Sequence, residues 1–195
     1  MISSSDMVWS GMPEVTTGRA VAVAVPVILL LLIGVFALSS FVVSLLGLPS
    51  MLAFPQGIRI AGGGLVVAGV AVGVWVFRCR SPMVIIVSTY ITFKKLFTGV
   101  PMAEGSGRTE PLVVEGPQRY TRNPLYFGVV VVVFGYSIAS GTTYALVGVL
   151  ALLLWFCLVL IPFEERELRA LFGASYIEYA EEVPMLVPFT KSRRH

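Results

Sequence analysis

Histidine and charge are what this sequence has least of. Its 195 residues include a single histidine, His195 at the last position, and charged side chains make up only 13% of the chain. Soluble domains carry charge at about a quarter of their positions. One terminal histidine leaves almost no material for histidine-based general acid–base or metal chemistry. Cysteine is nearly as scarce: Cys79 and Cys157 are the only two, the second deep in an apolar run, and neither has metal-ligand spacing. No disulfide, structural zinc or other metal site is expected. The sequence also lacks a P-loop, an HExxH pair, a CxxC pair, a GxSxG elbow and a GxGxxG following a strand. Gly62, Gly63 and Gly64 lie inside an apolar run and do not form a phosphate loop. The formal charge of +3 and pI near 9.0 do not indicate nucleic acid, because the basic residues flank apolar runs and form no compact basic domain. Anchoring to membrane lipids is the simpler reading.

What the chain has instead is long apolar runs: 56% of it is hydrophobic and its mean hydropathy is +0.88. Residues 1–19 form a polar tail without the architecture of a cleaved leader. From Ala20 to Leu48 there is no charge, over more than the roughly 20 residues needed to cross a bilayer. Pro26 falls near the start of that run, where a missing amide costs least. A loop over Pro49 to Gln56 leads to a second run, Gly57 to Phe77, closed by Arg78 and Arg80. Gly69 and Gly73 make a small-xxx-small pair there, suited to close helix packing. Met83 to Phe93, framed by Arg80 and Lys94-Lys95, is short for a span. Gly99 to Gly116 is polar and reads as a linker or lid. Two more runs, Pro124 to Ala139 and Thr143 to Phe163, are separated only by Ser140-Gly141-Thr142, which forces a tight helical hairpin.

The expected fold is an all-α integral membrane protein with four full spans, a short fifth helical segment over 83–97, a C-terminal helical hairpin and an amphipathic helix beyond it. Residues 1–98 would form the N-terminal membrane helices and 99–195 the catalytic region. Arg108, Arg119, Arg122, Arg166, Arg169, Lys191, Arg193 and Arg194 all flank the open end of the hairpin. The positive-inside rule puts that end in the cytoplasm, with the chain in the cell or inner membrane.

The open end also concentrates chemistry. Asn123-Pro124 is a good helix start, Asn capping free amides and Pro fitting the first helical position. With Arg119 and Arg122 just before it, the positive end of that helix suits an anionic group such as a carboxylate. The simpler alternative is that the arginines reach to lipid headgroups. Across the hairpin, Glu164 and Glu165 follow the last span directly, near Arg122 and Tyr126, and Pro162 should kink the helix beside them. A solvated helix end is the alternative, but carboxylates at a membrane edge are costly unless solvated, paired or functional. After Leu171, Phe172, Tyr176, Tyr179 and Val183 recur at helical spacing, the mark of an interfacial amphipathic helix.

From Pro111 to Phe189 these motifs stand in the order of a known family. Leu112-Val113, Gly116, Arg122-Asn123-Pro124-Leu125-Tyr126-Phe127-Gly128, Glu164-Glu165-Arg166-Glu167-Leu168, Phe172-Gly173-Ala174-Ser175-Tyr176 and Val183-Pro184 through Pro188-Phe189 resemble the isoprenylcysteine carboxyl methyltransferases and their prokaryotic relatives. The resemblance implies S-adenosylmethionine as methyl donor, with S-adenosylhomocysteine as product. It implies a cofactor pocket of Glu110, Pro111, Leu112, Val113, Gln118, Asn123, Pro124, Leu125, Tyr126 and Glu164; Arg122 and Glu165, by their proximity to that pocket, are the expected catalytic residues. It also implies a lipophilic acceptor entering from the bilayer. The chain departs from the pattern in three places: Asn123 replaces the family's histidine, Gln118 stands where a tyrosine is expected, and Leu160 replaces an arginine assigned to the substrate carboxylate. Arg122 or Arg119 is then left to hold an acceptor carboxylate.

Carboxyl methylation asks little of acid–base chemistry, since a carboxylate is already ionised near neutral pH. Positioning and water exclusion would carry the displacement. An amine acceptor, as in phospholipid N-methylation, must first lose a proton. A different alternative is a nicotinamide-dependent membrane reductase, since steroid and sterol reductases are similar to this C-terminal half, although no additional basic pocket for a 2′-phosphate is evident. A non-catalytic membrane protein of the same architecture is the third.

Overall fold

The computed structural model describes residues 17–82, 85, 86, 89, 90, 92 and 112–190. Among them are six α-helices: α1 (Thr17–Leu45), α2 (Gln56–Cys79), α3 (Pro124–Ser140), α4 (Thr143–Trp155), α5 (Ile161–Phe172) and α6 (Ala174–Glu182). A five-residue π turn over Phe156–Leu160 joins α4 to α5, so Thr143–Phe172 is one 30-residue helical rod. Three helices, Val21–Leu45, Gln56–Cys79 and this rod, are long and apolar enough to cross a membrane. The fourth apolar helix, α3, is shorter at 17 residues, or about 25 Å, and pairs antiparallel with α2. Large outward side chains such as Leu30, Ile33, Phe41, Ile60, Val67, Leu154 and Leu158 are exposed, as expected where hydrocarbon replaces water as solvent. The chain is therefore an all-α membrane protein.

Helix α2 meets α3 backbone to backbone. A Cβ built on Gly62 would lie 2.6 Å from the Ala139 amide nitrogen and 2.8 Å from the Gly135 carbonyl oxygen; on Gly69 it would lie 2.8 Å from the Gly128 carbonyl oxygen. Gly135 is equally tight against the Gly62 carbonyl, at 2.7 Å. Small residues at such a seam replace the hydrophobic force that lipid cannot supply between helices. The pairing corrects the expectation for α2: Gly69 is used, but its partner along the helix is Gly62, two turns earlier. A Cβ on Gly73 would meet nothing within 4 Å.

The far end of the bundle is a tight junction. Gly141 has φ 75° and ends α3 in the left-handed conformation, and its carbonyl accepts the Leu52 N–H at 2.6 Å. Arg59 Nε donates to the Ala139 carbonyl at 2.8 Å, a cation at a helix C-terminus. Helix α1 runs beside α4, with Phe36 edge-on to Tyr144 at 6.4 Å. The opposite end is held open by polar groups, and the apolar cluster of Leu152, Phe156, Leu160, Ile161 and Leu186 packs beneath it.

Pro162 does not break the rod. The π turn just before it moves the ladder by one residue, the Ile161 N–H bonding to the Phe156 carbonyl. Most of the short segment over 83–97, the stretch 99–111 and the domain boundary at residue 98 lie outside the described residues. The described part of the short segment has helical backbone, and Thr92 at its end approaches Glu164 at 3.4 Å.

Candidate functional site

The open end holds a cleft of about 980 Å³, mouth included, between the last turn of α2, the first turn of α3, the acidic start of α5 and the aromatic face of α6. Of the residues expected from sequence, Leu112, Val113, Gln118, Arg122, Asn123, Pro124, Leu125, Tyr126, Glu164 and Glu165 all line it. Glu110 and Pro111 lie outside the described residues. Residues as far apart in sequence as Val76 and Tyr179 meet here, and Glu164 reaches the start of α3 because the tight Gly141–Thr142 turn folds the rod back along α3.

Asn123 behaves differently from expectation. It precedes α3, but its side chain makes no cap bond to the helix; its Nδ2 donates instead to the Met185 carbonyl at 2.8 Å. The reason is the strap over 183–186, which presents carbonyls to the whole 121–123 stretch. The Arg122 N–H donates to the Pro184 carbonyl at 2.9 Å, and Thr121 Oγ1 donates to the Leu186 carbonyl at 2.8 Å. Asn123 thus fastens the strap, and the positive end of α3 meets the cleft without a side-chain cap. That arrangement favours an anionic ligand group more strongly than a capped terminus would.

The two acids are treated differently. Glu164 Oε1 accepts the Tyr126 hydroxyl at 3.0 Å and faces Thr92, and the Tyr126 ring lies 4.7 Å from that of Phe156, fixing the hydroxyl's position. Glu165 pairs with Arg122 at 3.1 Å and with Arg169 at 3.8 Å. The Arg122 and Glu165 side chains are only 12% and 13% exposed, so the two residues expected to be catalytic partly neutralise one another. Gln118 is 7% exposed and its Oε1 has no hydrogen-bond partner among the described residues, while its backbone carbonyl accepts the Tyr179 hydroxyl at 2.8 Å. A buried acceptor without a donor at a cleft wall is an expensive feature.

Helix α6 is amphipathic, as its spacing predicts, and its aromatic stripe covers the cleft. Tyr176 is buried and lies 6.1 Å from Tyr179, ring to ring. Burial pushes the Tyr179 phenol up from 10.0 to about 12, with the Arg122 charge lowering it and Glu165 raising it. Burial raises Tyr176 as well, helped by Glu165 and opposed by Arg122. Sequence reasoning missed Val76, Arg80, Ile85, Thr89, Leu168, Phe172, Tyr176 and Tyr179 as lining residues. Leu168 and Phe172 were findable, since they continue the Glu164 face at four-residue steps. Arg80 carried no such signal.

No metal-type cluster of three or more His, Cys, Asp or Glu occurs among the described residues. The arrangement suits a zwitterionic ligand: an uncapped helix start for its carboxylate, Glu164 for an ammonium or hydroxyl, and apolar and aromatic walls for the remainder.

Residues 58–175 match the family model described as phospholipid methyltransferase. The protein-S-isoprenylcysteine O-methyltransferase B of Arabidopsis thaliana is 35% identical over 79 residues, a stretch that is 40% of this chain and 40% of that relative. No solved structure matches. The family match spans nearly all of both seam helices, the whole hairpin and most of the cleft, so the chain belongs to the phospholipid methyltransferase family.

Proposed function

We propose that this chain is an S-adenosylmethionine-dependent methyltransferase of the membrane that methylates the carboxylate of a lipophilic, isoprenylcysteine-like acceptor. The observation that carries the proposal is the uncapped start of α3 facing Glu164 across the cleft. The residues present fit the cofactor. The helix start at Leu125 and Tyr126 would hold its carboxylate, Glu164 would accept from its ammonium or ribose hydroxyls, and the buried Gln118 Oε1 would accept a donor it now lacks. Leu112 and Val113 would contribute wall and backbone, and Pro124 the turn that aims the helix. When bound, the cofactor supplies an electrophilic methyl on a sulfonium.

The protein's own contribution is then positioning and exclusion of water. Arg122, steadied by Glu165, would orient the acceptor carboxylate, filling the place that Leu160 leaves vacant in the family pattern. The acceptor needs no base because its carboxylate is ionised near neutral pH. An amine acceptor would need one, and the carboxylates nearest to hand already accept a tyrosine hydroxyl or pair with arginine. Phospholipid N-methylation is the second reading, favoured by the description of the family. Family membership favours both over a reductase. The cleft would face the cytoplasm: Arg80 and Arg122 line it, and Arg78, Arg119, Arg166 and Arg169 lie close to them in sequence at the same end, whereas Arg59 lies at the far end beside Ala139.

Two assays test this. Labelled S-adenosylmethionine should bind the detergent-solubilised chain and lose affinity at least about tenfold in Glu164→Ala, the effect of one charge-assisted contact. Methyl transfer to a prenylated cysteine analogue should exceed transfer to aminophospholipids. Nicotinamide nucleotide binding, or no binding of either cofactor, would overturn the proposal, and faster transfer to the amine would replace it with the second reading.

A further inference from the structure

Four charged side chains line the cleft among the described residues: Arg80, Arg122, Glu164 and Glu165. Two of them offset each other, since Glu165 stands 3.1 Å from Arg122. The other two contribute one charge of each sign, Glu164 from α5 and Arg80 from the end of α2.

Arg80 reaches the cleft because of where α2 stops. Its N–H donates to the Val76 carbonyl at 2.9 Å, which stacks it one turn beyond Val76, a residue 2% exposed that lines the same cleft. Residues two apart on a helix do not share a face, and Arg78 is exposed where Arg80 is half-buried. The end of this membrane span therefore has one arginine for lipid headgroups and another for the cleft. The rod offers no such cation: Leu160, 5% exposed, packs with Leu152, Phe156, Ile161 and Leu186, where an arginine head would be buried in hydrocarbon.

We infer that Arg80 is the specificity-determining cation of the cleft, the group that selects an acceptor with an ionised carboxylate head over a neutral one. Arg122 can orient that head, but its charge is already matched by Glu165, so the net attraction for an anion comes from α2. The inference rests on the proposed methyl transfer for the nature of the head. S-adenosylmethionine carries a sulfonium besides its ammonium and carboxylate, and so brings a net positive charge toward Glu164. An ionised acceptor brings a negative charge toward Arg80. In the transfer the acceptor oxygen bonds to the methyl carbon, the carbon–sulfur bond breaks with its electron pair left on sulfur, and no proton moves. The resulting ester is neutral. Arg80 thus loses its counter-ion on methylation, which weakens the hold on product relative to substrate.

The test uses the full chain in phosphatidylcholine nanodiscs and N-acetyl farnesylcysteine, whose carboxylate is its single charge, beside the methyl ester of the same compound and phosphatidylethanolamine. The parent should bind the acid about tenfold more tightly than the ester, the effect of one charge-assisted contact. Arg80→Gln should weaken acid binding about tenfold, leave the ester and S-adenosylmethionine unchanged, and so abolish the preference. Arg80→Lys keeps the charge without the planar fork and should restore part of it. Arg78→Gln should alter none of these affinities. Equal losses for acid and ester would make Arg80 structural and overturn the inference, as would an acid preference that survives Arg80→Gln and disappears in Arg122→Gln. A loss confined to phosphatidylethanolamine would assign Arg80 to a lipid phosphate and overturn it as well. An acid preference that depends on Arg80 in a chain that transfers no methyl group would leave the assignment standing and remove the methyltransferase reading instead.

Discussion

The same two helices, α2 and α3, behave in opposite ways at their two ends. Along the seam their backbones touch through Gly62, Gly69, Gly128 and Gly135. Two turns further on they flank a cleft in which arginines, glutamates and tyrosines from five segments converge. The seam obtains its geometry from the absence of side chains, the cleft from their chemistry. A membrane protein can hold charged groups at a lipid edge when the scaffold beneath them is fixed by contacts that do not depend on charge.

The largest expected effect breaks the seam. Gly69→Leu or Gly62→Leu forces atoms into backbone that cannot yield like a side chain, and should cost about 1–3 kcal/mol or prevent folding. Gly73→Ala is the control, expected to stay within about 1 kcal/mol. Thermal unfolding in detergent separates them, and equal losses at all three positions would show that the seam is not the organising contact.

A cycle at Arg122 and Glu165 probes the cleft. Each alanine variant leaves a poorly solvated partner, so the single losses should exceed additivity and give a coupling of about 1–3 kcal/mol. Unfolding of the four proteins measures it; a coupling near zero would mean that the two charges are independently solvated.

Alkaline pH offers a gentler handle. The folded Tyr179 phenol titrates at about 12 and the free one at 10.0, so the native state holds its proton more tightly. Its contribution is complete below pH 10.0, falls as the unfolded chain ionises, and is lost by about pH 12. Tyr179→Phe should therefore flatten the decline in stability over this window, while remaining less stable than the parent near neutrality through loss of the bond to Gln118. An unaltered alkaline slope would remove Tyr179 from the account.

The smallest effect belongs to the far end. Arg59→Gln removes an exposed bond to the Ala139 carbonyl and should cost about 0.5 kcal/mol, with ligand binding untouched. A comparable loss of affinity would mean that the two ends are coupled through the seam.

Much of this was legible in the sequence. Uninterrupted apolar runs marked the spans, and the three residues Ser140-Gly141-Thr142 alone forced the hairpin that brings Glu164 to Tyr126. Ordered motifs then gathered most of the cleft. What escaped depended on tertiary partners. Asn123 has the chemistry of a cap, and only the nearby Met185 carbonyl turns it away. The Gly69-Gly73 spacing matched a familiar pattern, yet the antiparallel partner presents its glycines seven residues apart, so Gly62 is the one that pairs. The amphipathic character of α6 was visible, but periodicity cannot say whether an aromatic stripe meets lipid or another part of the same chain.

The π turn over Phe156–Leu160 has a consequence of phase. One extra residue in a helix rotates everything beyond it by about 100°, so the direction of Glu164 and Glu165 is set in the Phe156–Leu160 turn, upstream of their own motif. In a straight α-helix of the same sequence these acids would point elsewhere, the spacing between the membrane-embedded Leu152 and the acids unchanged. The number of residues between a span and its acidic exit thus acts as an angle as well as a length.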